Sequence, residues 1–404
     1  MVLYMCLLNG NGNNCKIPAG MRDWLPPEAG EKRALINSLL KNIALWGYQE
    51  LSTPLLEYYQ VLSKGEATSG PDNLYKLIER DGSILALRPE MTIPIARIIG
   101  CKMPGNPPWR LMYGEEVFRY ELVQAGRQRG FSQVGVELIG EKGPEADSEV
   151  LAMAISSLKC IGLDKFTVSL GHMGVLNGLL DSLSWEKPLL DELRNLILEK
   201  DFVGLHQLLD SAGLDDYQKV GMLDLLTQPL SATDLKELIS RFSGEIQAAL
   251  LEISNVIEVL DIYGLSKYIQ VDLSTLRSQD YYTGMVFEIY TAGIGYPIGG
   301  GGRYDNLLCQ FGHDYPATGF ALGIERLLLS LPQKSGQMKP ILLVGDITKD
   351  IERPELINKA NSLRTEGKPI ILELKQLTKE QAEKLAIEIE ADLLFWQGRK
   401  ENGE

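Results

Sequence analysis

Cysteine and histidine are scarce in this chain, and neither is arranged as a ligand set. The three histidines are dispersed, and the cysteines include no CxxC pair. Structural zinc sites and disulfide frameworks both depend on such spacing. We therefore expect reduced thiols, no metal site and no cofactor. The five cysteines are Cys6, Cys15, Cys101, Cys160 and Cys309.

Long apolar runs are also missing. No stretch approaches the roughly 20 residues that a membrane-spanning helix needs, so we expect no membrane association. Residues Met1 to Leu8 are apolar, but they lack a basic leader and an evident cleavage site. The sequence predicts a cytoplasmic protein with a short N-terminal extension over residues 1–16.

Positive charge is in deficit. The chain has 40 Lys and Arg residues and 54 Asp and Glu residues, which gives a formal net charge of −14. Proteins gain most of their affinity for a nucleic-acid backbone by neutralising phosphates with Lys and Arg. The charge therefore argues against a nucleic-acid partner. The argument is a weak one, because a local basic patch can form on an acidic protein.

What is present is the composition of a folded protein with several domains. A length of 404 residues exceeds a usual single core, and 45% hydrophobic with 23% charged residues is typical of a globular chain. An amphipathic helix is predicted after Pro26-Pro27, ending near Gly47, and a strand follows over residues 48–53. "SILALRPEMT" predicts a strand, a turn and a helix start.

The middle of the chain combines strand and helix signals. "WRLMYGEEVFRYE" and "GFSQVGVELIG" predict an antiparallel strand pair, and residues Met173 to Leu265 are almost purely helical in pattern. Strands are predicted again in "YIQVDLS" and "GMVFEIYTA". The glycines Gly299 to Gly302 are interpreted as a loop, followed by two helices over residues 304–311 and 317–331.

The pattern changes after the polar stretch "PQKSGQMK", which is typical of a linker. Beyond it, strands and helices alternate in β-α-β-α-β order, which predicts a small, mostly parallel α/β domain. The predicted domains are an N-terminal extension (1–16), a core (17–332) with a helical insertion at about 174–266, a linker (333–339) and a C-terminal α/β domain (340–404).

Polar side chains cluster at the ends of several predicted strands. In "LRPEMT", Glu90 and Thr92 follow a strand end, where they would serve either a binding site or the capping of the next helix. In "FRYELVQAGRQRGFSQVGVE", the side chains of Gln133 and Glu137 share one strand face with Phe131, opposite two valines. That face is either a ligand pocket or merely half exposed. The other polar residues of this segment include Arg119, Glu121, Arg127 and Arg129.

Two further clusters lie later in the chain. "RSQDYYTGMVFE" contains Arg277, Asp280, Tyr281 and Tyr282, although adjacent tyrosines before a strand can also be packing residues. Four glycines precede Arg303, which permits close approach to a ligand but matches no nucleotide-binding fingerprint. Arg326, on an otherwise apolar predicted helix, would need an anionic partner if it were buried.

Taken together, these segments resemble the catalytic core of histidyl-tRNA synthetase, a class II synthetase. The resemblance covers residues from about 17 to 332, and it implies an α+β fold with a six-stranded antiparallel sheet flanked by helices and dimers formed through the first motif. The segments that carry it are "GMRDWLPPE", "GYQELSTPLLE", "LRPEMT", "FRYELVQAGRQRGFSQVGVE", "RSQDYYTGMVFE", "GGGGRYDNL" and "GFALGIERL".

The resemblance implies a role for each matching residue. Arg119 and Arg326 would match the arginines that hold the ATP phosphates, Phe131 would match the ring that stacks on adenine, and both roles are either retained or vestigial. Arg277 would match the family's catalytic arginine beside the amino-acid site. Carboxylates suit an α-ammonium group, while Gln, Glu and Tyr suit imidazole nitrogens. The implied histidine-binding set is Glu90, Thr92, Gln133, Glu137, Arg277, Tyr281 and Tyr282.

Departures from the synthetase pattern argue against tRNA charging. Glu121 is followed by Leu122-Val123 where the family has Arg-Pro, "RSQDYY" replaces "RGLDYY", and residues 68–82 lose much of a charged family pattern. Only 78 residues follow Arg326, and from Ile341 onward 10 Lys and Arg face 13 Asp and Glu. An acidic tail is a poor anticodon binder and is better suited to protein contacts.

A histidine pocket on a core with degraded tRNA-handling features resembles the regulatory subunits of ATP phosphoribosyltransferase in histidine biosynthesis. The resemblance implies a non-catalytic chain, without synthetase activity, that assembles as a homodimer within a larger hetero-oligomer with a short catalytic subunit. It would be required for activity and would transmit feedback inhibition by histidine, bound in the synthetase-type pocket or at an interface. The alternatives are an active histidyl-tRNA synthetase and a tRNA-independent adenylating enzyme.

Overall fold

The computed structural model describes most of the chain, which divides into two compact units, Met1–Leu331 and Pro332–Glu404. None of the described helices is both long and apolar enough to cross a membrane. The described residues are 16–65, 73–103, 105–120, 128–183, 185–212, 221–223, 225–226, 229–275, 281–332, 339–345, 352–373 and 375–396.

Eleven strands form two sheets in the described part of the first unit. They are β1 (Gln49–Glu50), β2 (Leu56–Tyr58), β3 (Lys76–Ile78), β4 (Ile84–Leu87), β5 (Trp109–Phe118), β6 (Gly130–Ile139), β7 (Phe166–His172), β8 (Ile269–Val271), β9 (Met285–Thr291), β10 (Gly299–Arg303) and β11 (Ala317–Gly323).

Helical residues also occur at 221–223 and 225–226. Ten further α-helices accompany the strands in the described part of this unit. They are α1 (Glu28–Ala44), α2 (Tyr59–Leu62), α3 (Thr92–Cys101), α4 (Pro144–Cys160), α5 (Met173–Ser182), α6 (Lys187–Glu199), α7 (Phe202–Ser211), α8 (Ala232–Arg241), α9 (Gly244–Ile262) and α10 (Ile324–Ser330).

The main sheet has the order β1-β5-β6-β11-β10-β9-β7-β8. Its six inner strands pair antiparallel throughout, whereas β1 and β8 add to the two edges in parallel. The expected six-stranded antiparallel sheet is therefore confirmed, with one short parallel strand added at each edge. A second sheet, β2-β4-β3, is antiparallel. The strand predicted over 48–53 is confirmed only at residues 49–50.

Two predictions about the region after residue 298 are wrong. The glycines Gly299 to Gly302 do not form a loop but lie in β10, because they sit between two strands that approach closely. A Cβ at Gly301 would lie 2.0 Å from the carbonyl oxygen of Gly319 on β11. Residues 317–323 form a strand, since small and larger side chains alternate there with period two. Only Ile324–Ser330 is α-helical, and residues 308–311 form a 3₁₀ turn.

One face of the β5–β6 pair packs under α1. Gly114 of β5 pairs with Val134 of β6. A Cβ added at Gly114 would lie 3.1 Å from side-chain atoms of both Ile36 and Leu40 on α1. The alternating residues of β6 therefore present Val134 and Val136 to the apolar core. Phe131, Gln133 and Glu137 point to the opposite face, which leaves them available to a site.

The helical insertion runs from α5 through α9 between β7 and β8. Helix α9 buries one apolar stripe, including Leu250, Ile253 and Val256, and packs against α4 and α5. The helical pattern predicted for this stretch is thus confirmed in its described residues. The insertion joins the same apolar core as the main sheet.

The second unit contains three parallel strands in the order β13-β12-β14, with β12 (Ile341–Val344), β13 (Ile370–Leu372) and β14 (Asp392–Phe395). Two helices, α11 (Glu352–Thr365) and α12 (Lys379–Glu388), cover it. Leu343 packs with Leu356 on α11, whereas Leu342 packs with Ala382 on α12, so each helix covers one face. The predicted β-α-β-α-β arrangement is confirmed.

Candidate functional site

A pocket opens on the face of the main sheet opposite α1. It lies where the N-terminus of α3 meets the middle strands β5, β6, β10 and β11. The described residues that line it are Glu90, Met91, Thr92, Tyr113, Arg119, Gln133, Glu137, Tyr281, Tyr282, Gly300, Tyr304, Gly319, Phe320 and Ala321. The fold thus brings together six of the seven residues predicted to bind histidine.

Glu137 lies at the bottom of this pocket with only 2% of its surface exposed. The Thr92 hydroxyl donates a hydrogen bond to Glu137 Oε1 over 2.9 Å, and the Tyr304 hydroxyl donates to Glu137 Oε2. Burial, with a smaller effect of the neighbouring Glu90, raises the pKa of Glu137 to about 8 against the lowering effect of these two hydrogen bonds. A protonated carboxyl is therefore favoured near neutral pH.

Glu90 is a second buried carboxyl group in the same pocket. Its Oε2 accepts the backbone N–H of Thr92 at 2.7 Å, and its Oε1 accepts that of Ile93 at 2.8 Å. These bonds cap the start of α3. Burial raises the pKa of Glu90, and the N–H groups with the charge of Arg119 oppose that rise. In the "LRPEMT" segment, Glu90 therefore caps the helix and also lines the pocket, and its role in ligand binding stays a prediction.

Gln133 contributes an unsatisfied acceptor. It lies on β6 with its side chain on the pocket face, paired in register with Glu115 and Gly323. Its Oε1 is buried and has no hydrogen-bond partner among the described residues. A buried carbonyl oxygen without a donor costs free energy. A ligand with an N–H group would remove that cost.

Tyrosines form one wall of the pocket. The ring centroids of Tyr281 and Tyr282 are 4.8 Å apart, and those of Tyr281 and Tyr304 are 5.7 Å apart in an edge-on arrangement. Burial raises the pKa of Tyr304 and of Tyr113 well above the ordinary value, so both keep their hydroxyl protons. Sequence reasoning missed Tyr113 and Tyr304. The place of Tyr304 directly after a glycine-rich strand would have indicated it only if that strand had been recognised.

Glycine at position 319 makes room for the pocket. Gly319 lies opposite Glu137 in the β6–β11 register, and a Cβ there would lie 2.1 Å from Glu137 Oε2. A Cβ at Gly302 would likewise lie 2.9 Å from the ring of Tyr282. The glycines therefore admit pocket side chains between closely spaced strands.

The three residues predicted to contact ATP do not all line this pocket. Arg119 lines the pocket, donates from Nε to the Pro89 carbonyl at 2.8 Å, and has its Cζ 5.4 Å from the ring centroid of Phe131. Arg326 donates from Nη1 to the Pro297 carbonyl at 2.6 Å and lies over the Tyr296 ring. Phe131 and Arg326 are not among the described residues that line the pocket, so Arg119 is the one residue of the three that does.

Other sequence-based predictions fall outside the described residues. Arg277 lies in the segment 276–280, and Glu121, Leu122, Val123 and Arg127 lie in the segment 121–127. Within the described ranges, no group of three or more His, Cys, Asp and Glu side chains is placed to hold a metal ion.

Comparison with known proteins agrees with the fold. The family model described as "Histidyl-tRNA synthetase" matches residues 20–327. The chain therefore has the histidyl-tRNA synthetase-like core of class II synthetases. A histidyl-tRNA synthetase structure from Nostoc, 22% identical, superposes with a TM-score of 0.79 over 93% of this chain and 90% of its own, which supports the fold alone.

Nearer relatives carry a different name. The ATP phosphoribosyltransferase regulatory subunit of Moorella thermoacetica is 41% identical over 370 residues, covering 91% of this chain and 94% of the relative. That of Desulforamulus reducens is 38% identical, covering 88% and 89%. A Bacillus halodurans structure titled as an ATP phosphoribosyltransferase regulatory subunit/histidyl-tRNA synthetase is 33% identical, with a TM-score of 0.85 over 95% of this chain and 98% of its own. The chain belongs to the family of ATP phosphoribosyltransferase regulatory subunits.

Proposed function

We propose that this chain is a non-catalytic regulatory subunit that a short catalytic ATP phosphoribosyltransferase requires for activity, and that it transmits feedback inhibition by histidine. The first step of histidine biosynthesis would then be controlled by its end product. The names of the relatives support the assembly with a catalytic subunit. The chemistry of the pocket supports histidine as the ligand.

The buried acceptor on Gln133 is the observation that carries the ligand assignment. The pocket combines that unsatisfied oxygen with two buried carboxyl groups, Glu90 and Glu137, and with tyrosine hydroxyl groups. Histidine offers an α-ammonium group and an imidazole ring, both of which donate hydrogen bonds. The tyrosine wall suits a planar ring. A free amino acid of this type would form hydrogen bonds with more of the buried polar groups than an apolar ligand could.

Regulation by this pocket requires that histidine bind two arrangements of the complex with different affinity. The side chains of the pocket come from separate strands and from the start of α3, so a ligand that draws them together favours one arrangement. We propose a homodimer of this chain within the hetero-oligomer, with no tRNA bound. The net charge of −14 favours protein partners over nucleic acid.

The test is reconstitution with a short catalytic subunit. Phosphoribosyl transfer to ATP should be slow with the catalytic subunit alone, should rise when the full chain is added, and should fall again on addition of histidine. Glu137→Ala should preserve activation and weaken inhibition. Failure of the full chain to activate the catalytic subunit would contradict the proposal.

Active histidyl-tRNA synthetase is the second candidate, and the position of Arg119 favours it. This cation lines the pocket beside Phe131, as the site for an activating ATP would require. Histidine-dependent exchange between ATP and pyrophosphate separates the two functions, because only an enzyme that forms the adenylate catalyses it. Exchange activity without activation of the catalytic subunit would exclude the first candidate, and charging of tRNA with histidine would then establish the second.

A further inference from the structure

A second cavity lies in the helical insertion, where the end of α5 meets the connection between α8 and α9. Its volume is about 570 Å³. Sites for small molecules typically measure ~300–1,000 Å³. None of the described residues that line this insertion cavity also lines the pocket on the main sheet, so the two are separate.

The floor of the insertion cavity is apolar. Leu179 of α5 and Ile246 of α9 contribute buried side chains, and the helical residues Met222 and Leu225 contribute two more. All four belong to the main apolar core. A ring or an aliphatic chain placed on this floor would leave water, which favours its binding. The floor therefore suits a ligand with an apolar body.

Close packing of α5 against α9 forms one wall of the cavity. A Cβ at Gly178 on α5 would lie 2.8 Å from the side chain of Ile246 and 3.1 Å from its backbone nitrogen. Glycine at this position therefore lets the end of α5 approach the start of α9. Because the two helices are already in contact, this wall is formed before any ligand binds.

The rim of the cavity carries three exposed charged side chains, Asp181, Arg241 and Glu245. Among the described residues, neither carboxylate has an ion-pair or hydrogen-bond partner. A nitrogen of the Arg241 guanidinium lies 3.2 Å from the position of a Cβ at Gly221. Two negative groups and one positive group give the rim a net negative charge. The net charge of −14 on the whole chain adds to its attraction for cations.

The two helix ends at the rim have opposite effects on a ligand charge. The C-terminus of α5 attracts cations, and its last turn contains Asp181 but no basic residue. The N-terminus of α9 attracts anions, but its first turn already contains the carboxylate of Glu245. A cationic group is therefore favoured at the end of α5.

We propose that the insertion cavity binds an amphipathic amine, a small molecule with an aromatic or aliphatic body and a cationic head group. The body would lie on the apolar floor, and the head group would lie at the rim beside Asp181 and the end of α5. Such a ligand would contact α5, α9 and the helical residues 221–225 together, so it would stabilise the folded insertion. The inference does not depend on the ligand of the pocket on the main sheet.

Titration calorimetry on the full chain tests the proposal with tryptamine and indole-3-propionate. These probes share an indole ring and two methylene groups, and they differ in the charge of the head group. Tryptamine should bind about fivefold more tightly, and added salt should reduce this difference. Equal or tighter binding of indole-3-propionate would overturn the proposal, as would the absence of tryptamine binding. Histidine titrated into the same protein tests the proposed function separately, because the two sites share no described lining residue.

Charge variants assign the amine to the rim. Asp181→Asn combined with Glu245→Gln changes two exposed side chains, so the fold should survive, and the preference for tryptamine over indole-3-propionate should be lost. Glu192→Gln, on an exposed position of α6 outside the cavity, removes one negative charge as a control and should keep the preference. Unchanged tryptamine affinity in the double variant would overturn the proposal. An equal loss in Glu192→Gln would also overturn it, since the effect would then come from the charge of the whole chain.

Discussion

Glu137 is a buried carboxyl group of the candidate pocket, and its protonation affects the stability of the protein around it. Its folded-state pKa of about 8 exceeds the ordinary value of 4.5 because the carboxyl group has lost water. The folded chain therefore binds a proton between those values that the unfolded chain releases. The free energy of unfolding gains a contribution below about pH 5, and this contribution is lost as pH rises through 8.

Replacement of Glu137 by glutamine should remove that pH dependence. The amide stays neutral and can keep hydrogen bonds to Thr92 and Tyr304, so at pH 8 the variant should be more stable than the wild type by a few kcal/mol, since each unit of pKa shift corresponds to about 1.4 kcal/mol. At pH 5 the two proteins should be equally stable. Urea unfolding at both pH values measures this, with Glu50→Gln on exposed β1 as control. A variant destabilised equally at pH 5 and pH 8 would contradict the expectation.

Gln133 allows a matched comparison with Gln128, because both side chains have a buried Oε1 without a partner among the described residues, and only Gln133 lines the pocket. Gln133→Met should weaken histidine binding by ~1–3 kcal/mol, since it removes the acceptor that the ligand satisfies. Gln128→Met should leave the affinity unchanged. Isothermal calorimetry gives both affinities. An equal loss of histidine affinity in the two variants would show that the ligand does not depend on a contact with Gln133.

Elements in the middle of the sheet show what the sequence could predict. The strands β5 and β6 could be predicted, because their side chains alternate between an apolar face and a polar face. The same alternation correctly placed Gln133 and Glu137 together on the polar face of β6. Strand β10 was not recognised, because glycine has a low propensity for strands and the close strand spacing is a property of tertiary packing. The period-two alternation in β11 was present in the sequence but was interpreted as part of a helix. Tyr113 and Tyr304 were missed for the same reason, since only the paired strands bring them to Glu137.

The narrow strand spacing leads to a prediction for Gly319. Alanine there would place Cβ 2.1 Å from Glu137 Oε2 and 2.4 Å from the carbonyl oxygen of Val136, so a strand must shift. We expect a loss of stability of ~1–3 kcal/mol and loss of histidine binding. Gly323→Ala, at the end of the same strand, meets no atom nearer than 3.5 Å and should preserve both. Thermal unfolding and calorimetry measure the pair, and normal binding by Gly319→Ala would show that the pocket can widen.

At the scale of the whole molecule, the chain divides into two compact units, and the candidate pocket belongs to the first. All described residues that line the pocket lie between Glu90 and Ala321, within the unit Met1–Leu331. The second unit has its own parallel sheet and its own apolar contacts on both faces. We propose that the first unit binds the effector and that the second contacts a partner.

A chain that ends at Leu331 should therefore bind histidine with the affinity of the full chain, while its activation of the catalytic subunit falls. Binding should survive because no described lining residue is removed, and activation should fall because the acidic second unit is proposed to make protein contacts. Circular dichroism must first show that the shortened chain is folded, and Glu137→Ala in the shortened chain serves as the binding control. A folded shortened chain with weakened histidine binding would mean that the second unit supports the pocket. Full activation by the same chain would instead place the catalytic subunit's docking surface on the synthetase-like unit.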